Sequence, residues 1–199
     1  AYGLELLATL HCFPYFIPEI CHTWQFAQQG GRHQYDIFTH TVRAVEFVPP
    51  KLTLRLAMFF HDIGKPLVWQ EQDGMDQFPQ HGVVGAMWAK KILERLRYDK
   101  RTIQQVQTLI AHHEEFLQPE FTCLRKAVSG MGEELVRDLI EVKRADVRAH
   151  SDAMAEWDLE PFCKMEKILD QIRERQECCN LKQLKVTGKD VAAFGYRGK

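Results

Sequence analysis

Residues 56–67 read LAMFFHDIGKPL and set His61 and Asp62 side by side in a run otherwise composed like a protein core. A bare carboxylate in such surroundings has nothing to replace its lost water, so burying it is expensive. Any fold open to this chain must deliver compensating partners to that one point. The elements that can supply them constrain the topology more than any other feature.

Apolar residues recur at helical spacing along most of the chain, and no segment alternates convincingly as a half-buried strand does. Amphipathic helices are predicted around 34–48, 52–63, 80–97, 101–117, 132–150 and 161–177, with another in GLELLATL near the N-terminus. Breakers fall between them: Pro49-Pro50, Pro66, the Asp73-Gly74 turn, and Gly130 with Gly132. The expected fold class is all-α, a helical bundle. Three parts are expected: a helix and connector over 1–32, a central domain over 33–150, and a helical extension over 151–199.

Side chains three or four apart share a helix face. In 80–97, Gly85, Trp88, Ile92 and Leu96 form an apolar stripe that His81 continues backwards. In 101–117 the stripe is Ile103, Val106, Leu109 and Ile110, extended by His112 and His113. In 132–150, Leu135, Leu139 and Val142 lead to Asp146. In the 34–48 helix, Ile37 and Ala44 bracket His40.

A lone histidine on an apolar face is more often a satisfied core residue than a ligand. Four helices that each bring a histidine or aspartate inward, with a fifth carrying His61 and Asp62, call for a shared explanation. A divalent metal ion removes the burial cost of all of them together, because the ligands become paired and the imidazoles stay neutral. Imidazole and carboxylate without thiolate suit manganese, nickel, iron, magnesium or zinc rather than a structural zinc site. His61 and Asp62 point roughly 100° apart on a helix. They can share one ion above the helix, or Asp62 can bridge two. Lys65, three residues beyond Asp62, reads either as a solvated lysine before Pro66 or as a catalytic cation that steers a substrate phosphate to the metal.

The ordered set His40, His61-Asp62 and Asp146, with HDIGK at 61–65, resembles the HD superfamily of metal-dependent phosphohydrolases. The resemblance implies an all-helical HD domain with a metal centre in its core, ligated by those four residues. Its activity would be hydrolysis of phosphomonoesters and of cyclic or nucleotide phosphates. His81 and the His112-His113 pair resemble the branch that holds a second ion, bridged by the aspartate. There His81 and His112 would be ligands, with His113 as the alternate or an additional one. No G-Y-P follows HHEEF at 112–116, which counts against the cyclic-dinucleotide phosphodiesterases.

A narrower resemblance spans nearly the whole chain. HQYDIFTHTVRAVEFVP (33–49), GLELLATLHCFPYFIPEI (3–20) and LKVTGKDVAAFGYRGK (184–199) are similar to segments of bacterial CCA-adding tRNA nucleotidyltransferases and their poly(A) polymerase relatives. Those enzymes transfer nucleotides in an N-terminal head with a D-x-D metal pair. Here Gly30 and Gly31 are present without a D-x-D, so nucleotide addition is not expected. The Ala1 start and the end inside the last motif lead to the expectation of a truncated chain. Two other functions remain open at this stage: a non-catalytic body that binds tRNA around a structural metal, and a di-iron oxygenase.

Composition excludes little beyond this. The formal net charge is −1, so no global field argues for nucleic acid or a membrane. Basic residues are nonetheless gathered in two places. Lys90, Lys91, Arg95, Arg97, Lys100 and Arg101 face only Glu94 and Asp99 as acids within their stretch, and nine basic against five acidic residues lie between Lys164 and Lys199. Either cluster could meet a phosphate backbone. None of the six cysteines forms a C-x-x-C pair, and no signal peptide appears, so a cytoplasmic protein with reduced thiols is expected.

Overall fold

The structure is a computed structural model that describes residues 1–24, 26, 35–150, 159–175, 186 and 188–196. Helices dominate. In chain order they are α1 (Tyr2–Thr9), α2 (Phe13–Phe16), a 3₁₀ turn (Pro18–Thr23), α3 (Ile37–Phe47), α4 (Leu52–Phe60), α5 (Lys65–Val68), α6 (His81–Arg95), α7 (Lys100–His112), α8 (Phe121–Met131), α9 (Glu133–His150), α10 (Glu160–Glu174) and α11 (Gly188–Ala193).

Local chemistry sets the boundaries. Asp36 caps α3: its carboxylate accepts the Thr39 backbone N–H at 2.9 Å and the Thr39 hydroxyl at 2.8 Å. Asp99 caps α7 in the same way, accepting the N–H groups of Arg101 and Thr102, each at 3.0 Å. Pro49 and Pro50 follow α3, and Pro66 stands in the first turn of α5.

Besides the short α2, the 3₁₀ turn and α5, two elements were not anticipated from sequence. The first is an antiparallel hairpin, β1 (Gln70–Gln72) with β2 (Met75–Gln77), closed by Asp73 and Gly74 at φ 54° and 73°. Positive φ at both turn residues matches a right-twisted two-residue hairpin. The turn itself was legible, but three-residue strands with no buried position leave no alternating pattern. The second is α8, whose inward face consists of only two buried residues, Leu124 and Val128.

Helix α6 packs along α7, α3 along α9, and α4 against α3, α6, α7 and α9. The main core joins Ala44, Val45, Leu54, Met58, Phe60, Ile92, Leu93, Leu109, Ile110, Leu139 and Val142, and it takes in Phe13, Ile17 and Ile20 from the N-terminal segment. A smaller core lies between α8, α9 and α10, around Leu124, Ile140, Phe162, Met165 and Leu169. Helix α9 serves both.

The turn after α4 touches the start of α6 backbone to backbone. A methyl group on Gly64 would collide with the His81 carbonyl oxygen and lie 2.7 Å from the Gly85 nitrogen. Only glycine permits that approach, and it is what brings His81 to the His61-Asp62 turn.

Candidate metal centre

His40, His61, Asp62, Lys65, His81 and His113 are all buried, with relative exposures from 0% for His61 to 6% for the last three. They come from α3, the turn after α4, and the ends of α5, α6 and α7. Asp146 from α9 completes the set; its side chain is 26% exposed and opens to a cleft.

Three of the histidines are aimed by one local device. The Nδ1–H of His61 donates to the Met58 carbonyl at 2.7 Å, that of His81 to Phe78 at 3.0 Å, and that of His113 to Ile110 at 2.6 Å. Each acceptor lies three residues back. With Nδ1 occupied outward, every Nε2 points into the centre.

The inward atoms fall into two groups that Asp62 joins. On one side, His40 Nε2 lies 2.9 Å from Asp146 Oδ1, and His61 Nε2 lies 3.4 Å from the same oxygen and 3.2 Å from Asp62 Oδ2. On the other, His81 Nε2 is 3.2 Å from Asp62 Oδ1 and 3.2 Å from His113 Nε2. His40, His61 and Asp146 form one cluster able to hold an ion; Asp62, His81 and His113 form another.

These residues fit a divalent metal. His40 and His61 bring their Nε2 atoms within 3.3 Å of one another, and His81 and His113 within 3.2 Å. Paired imidazole lone pairs at that range need a proton or a cation between them. Asp62 Oδ2 lies 2.8 Å from Lys65 Nζ yet accepts no well-directed hydrogen bond among the described residues. Without an ion, protons and Lys65 supply the positive charge. Burial pulls the His61 ring down, but Asp62 and Asp146 outweigh it and push its pKa up to about 10. His81 is pushed up to about 9, again against burial, by Asp62 and Glu114. Burial, with His61 and His81 nearby, drops His113 to about 4. Burial alone would raise both aspartates; His61 and Lys65 hold Asp62, and His40 and His61 hold Asp146, well below the usual carboxylate range.

His112 is not part of the centre. It lines a separate cavity, its side chain is 34% exposed, and its Nδ1 lies 2.7 Å from Glu115. Two consecutive helical residues diverge by about 100°, so α7 can turn only one of the pair inward, and that one is His113. Glu114 was missed from sequence. Its Oε1 lies 3.0 Å from His81 Nδ1 and its Oε2 accepts the Gly82 N–H at 3.1 Å, so it braces the start of α6. His150, one turn beyond Asp146, is half-buried and lines the cleft, with its ring 5.0 Å from that of His40 and its Nδ1–H donating to the Asp146 carbonyl at 2.8 Å. Arg144 is engaged by Glu141 and Glu166, away from the centre. His33, Cys178 and Cys179 lie outside the described residues; Cys12, Cys21, Cys123 and Cys163 are free thiols.

The centre opens into a cleft of about 650 Å³, lined by Asp62, Lys65, His81, His113, Asp146 and His150 and roofed in part by the hairpin and the following Phe78–Gln80. A helical bundle with buried histidines and aspartates gathered from its separate helices defines a class of folds able to hold metal ions in their core. The HD domain family model matches residues 20–172, and the chain belongs to that family. It is also 32% identical over 153 residues to the CC-adding tRNA nucleotidyltransferase of Thermus thermophilus, covering 73% of this chain and 35% of that protein. Similarity to the A-adding tRNA nucleotidyltransferase of Deinococcus radiodurans is 30% over 156 residues, 75% of this chain and 36% of that protein. The chain thus spans about a third of the length of these relatives. No described helix is long and apolar enough to cross a membrane.

Proposed function

We propose that this HD domain is a metal-dependent phosphoester hydrolase with two ions sharing Asp62. The observation that carries the reading is the placement of the two Asp62 oxygens, one toward each histidine group. His40, His61, Asp62 and Asp146 would hold the first ion, and Asp62, His81 and His113 the second. Bound divalent ions would supply an activated water and positive charge for the phosphoryl oxygens. Lys65 is buried at the cleft floor beside Asp62, where its ammonium group can attract a phosphate. Asp146 forms the solvent-facing edge, where an ester can enter. Phosphomonoesters and 2′,3′-cyclic nucleotides are the proposed substrates.

The test is hydrolysis of p-nitrophenyl phosphate and 2′,3′-cyclic AMP, with and without added manganese, nickel, magnesium, zinc or iron. Activity should depend on metal, vanish with chelator and be lost in His61→Ala. Metal-loaded protein inactive across both substrates would overturn the reading. Metal counting on the purified protein would separate one ion from two.

A second reading is supported by the names of the relatives: the domain acts as a body that binds tRNA. Lys90, Arg97 and Arg101 are its candidate contacts. Arg95 is less available, because it forms a bidentate pair with Glu19 at 2.6 and 2.7 Å. Reversing the charge of Lys90, Arg97 and Arg101 should weaken tRNA binding and flatten its salt dependence; unchanged affinity and slope would remove these residues from the interface.

A further inference from the structure

Carbonyls at the end of a helix need partners from outside it. At the end of α7 they come from another helix: Lys143 Nζ, reaching across from α9, donates to the carbonyls of His113 and Glu115. Those two carbonyls flank Glu114, so its backbone is held on both sides. The Glu114 carboxylate then spans to α6. Its Oε1 lies 3.0 Å from His81 Nδ1, and its Oε2 accepts the Gly82 N–H at 3.1 Å. Gln80, at the position that usually caps a helix, makes no side-chain hydrogen bond to α6. Glu114 fills that role from α7, with a negative charge that suits a helix N-terminus.

We propose that Lys143 and Glu114 are positioning residues for the second ion and act in series: Lys143 fastens the end of α7 to α9, and Glu114 passes that placement on to the ring of His81. Neither would touch the ion. The proposal rests on the two-ion reading for the ion itself and adds what sets its affinity. Three observations carry it. Lys143 grips the backbone of His113, a ligand of the second ion, from the face of α9 that three residues later carries Asp146, a ligand of the first. The start of α6 rests on the end of α7, since a methyl group on Gly82 would lie 3.0 Å from the Ile110 carbonyl oxygen and 3.2 Å from Glu114 Oε2; a shift of one end therefore moves the other. Of the rings of His61, His81 and His113, only that of His81 has a carboxylate beside Nδ1 as well as a carbonyl, among the described residues. A carboxylate at that nitrogen fixes the ring and makes the opposite nitrogen a stronger ligand.

Manganese binding to the ion-free protein tests this without turnover. Calorimetry gives the affinity of each site, and electron paramagnetic resonance distinguishes two ions joined through one carboxylate, which couple, from an isolated ion. Glu114→Ala and Lys143→Met should each weaken the second ion about 10- to 100-fold and leave the first unchanged, with the isolated-ion signal replacing the coupled one. Lys143→Arg, which keeps a cation with several donors, should restore the second ion. Because the two residues act in series, the double variant should be no worse than the more affected single one. The Glu114 side chain is 41% exposed, so its variants should fold, and the melting temperature of each ion-free variant checks this. Two ions held by both single variants as tightly as by the unaltered protein would overturn the proposal and leave the two-ion reading standing. One ion in the unaltered protein would overturn both. Equal weakening of both ions would overturn the assignment to the second, and additive losses in the double variant would overturn the series.

Discussion

Asp62 is the residue on which both histidine groups depend, and their separation allows the pair to be dissected. Asp62→Ala should lose all bound metal. His113→Ala should lose one ion and keep the other, and His112→Ala should lose none; elemental analysis of the three variants reads this directly. Protons compete with the ions in a direction fixed by the shifts at His61 and His81. Both rings are protonated at neutral pH in the ion-free protein, with pKa values of about 10 and 9, and a protonated imidazole cannot ligate. Metal uptake should therefore release protons at pH 7, and apparent affinity should climb with pH through that range. Calorimetry in buffers of different ionisation enthalpy counts the protons; zero release would refute the assignment. The same sign applies to stability. For His61 the folded value is raised above about 6.5 in the unfolded chain. Its contribution in the ion-free protein is full below that pH and is lost as pH rises toward 10. At this scale much was legible: His40, His61, His81 and Asp146 each continue or interrupt an apolar stripe. The choice between His112 and His113 was not, because adjacent residues both extend the stripe of α7 and only the packing of α6 against α7 decides between them. Glu114 and His150 lie where helices end, and periodicity gives no direction to a side chain there.

Among the elements, the contact between the turn after α4 and the start of α6 is the least tolerant. Gly64→Ala puts a methyl group against backbone atoms rather than a flexible side chain. It should cost about 1–3 kcal/mol by overpacking and also move His81 away from Asp62, so the second ion should be lost before the first. Full occupancy with an unchanged melting temperature would show that the two backbones separate freely. The cap of α3 makes a contrasting case. Asp36→Ala should cost about 1 kcal/mol of stability, measurable by urea denaturation, with little change in metal content, because His40 lies a full turn inside the helix. The long helices were readable from their stripes, and the end of α3 from Pro49-Pro50; the starts of α3 and α7, set by Asp36 and Asp99, were not. Helix α8 was not, because two inward residues carry too little pattern. The hairpin was not, because its stability comes from the Asp73-Gly74 turn and from contacts such as that of Trp69 Nε1 with Asp76, at 2.7 Å, rather than from a buried face.

At the scale of the molecule, α9 is the wall between two cores. Leu139, Val142, Ala145 and Ala149 face the larger one, while Val136 and Ile140 face the smaller. Both faces of one helix are therefore committed, and Asp146 projects from its C-terminal half toward the cleft. Leu169→Ala on α10 removes a fully buried side chain from the smaller core and should cost about 2–5 kcal/mol. Amide exchange should show the loosening in α8 and α10 first, with α4 and α7 keeping their protection. Uniform loss across all helices would mean that the two cores melt as one unit. Sequence showed that α9 was amphipathic but not that its second face was also covered, since the partners on α8 and α10 come from short or distant segments.

The bonds from His61, His81 and His113 to carbonyls three residues earlier have an evolutionary consequence. Helix ends leave their last carbonyls without regular partners; at α4 the histidine ring serves such a carbonyl while it is being aimed, and at α7 it joins its own backbone N–H on the Ile110 carbonyl. Each ring carries its bearing within a four-residue stretch of its own chain. Loops between the helices can then lengthen, shorten or drift in sequence over many generations without turning a ring away, provided that the helix ends still meet. A lineage can remodel the rim of the cleft, and with it the choice of substrate, while the histidines at its floor are inherited unchanged.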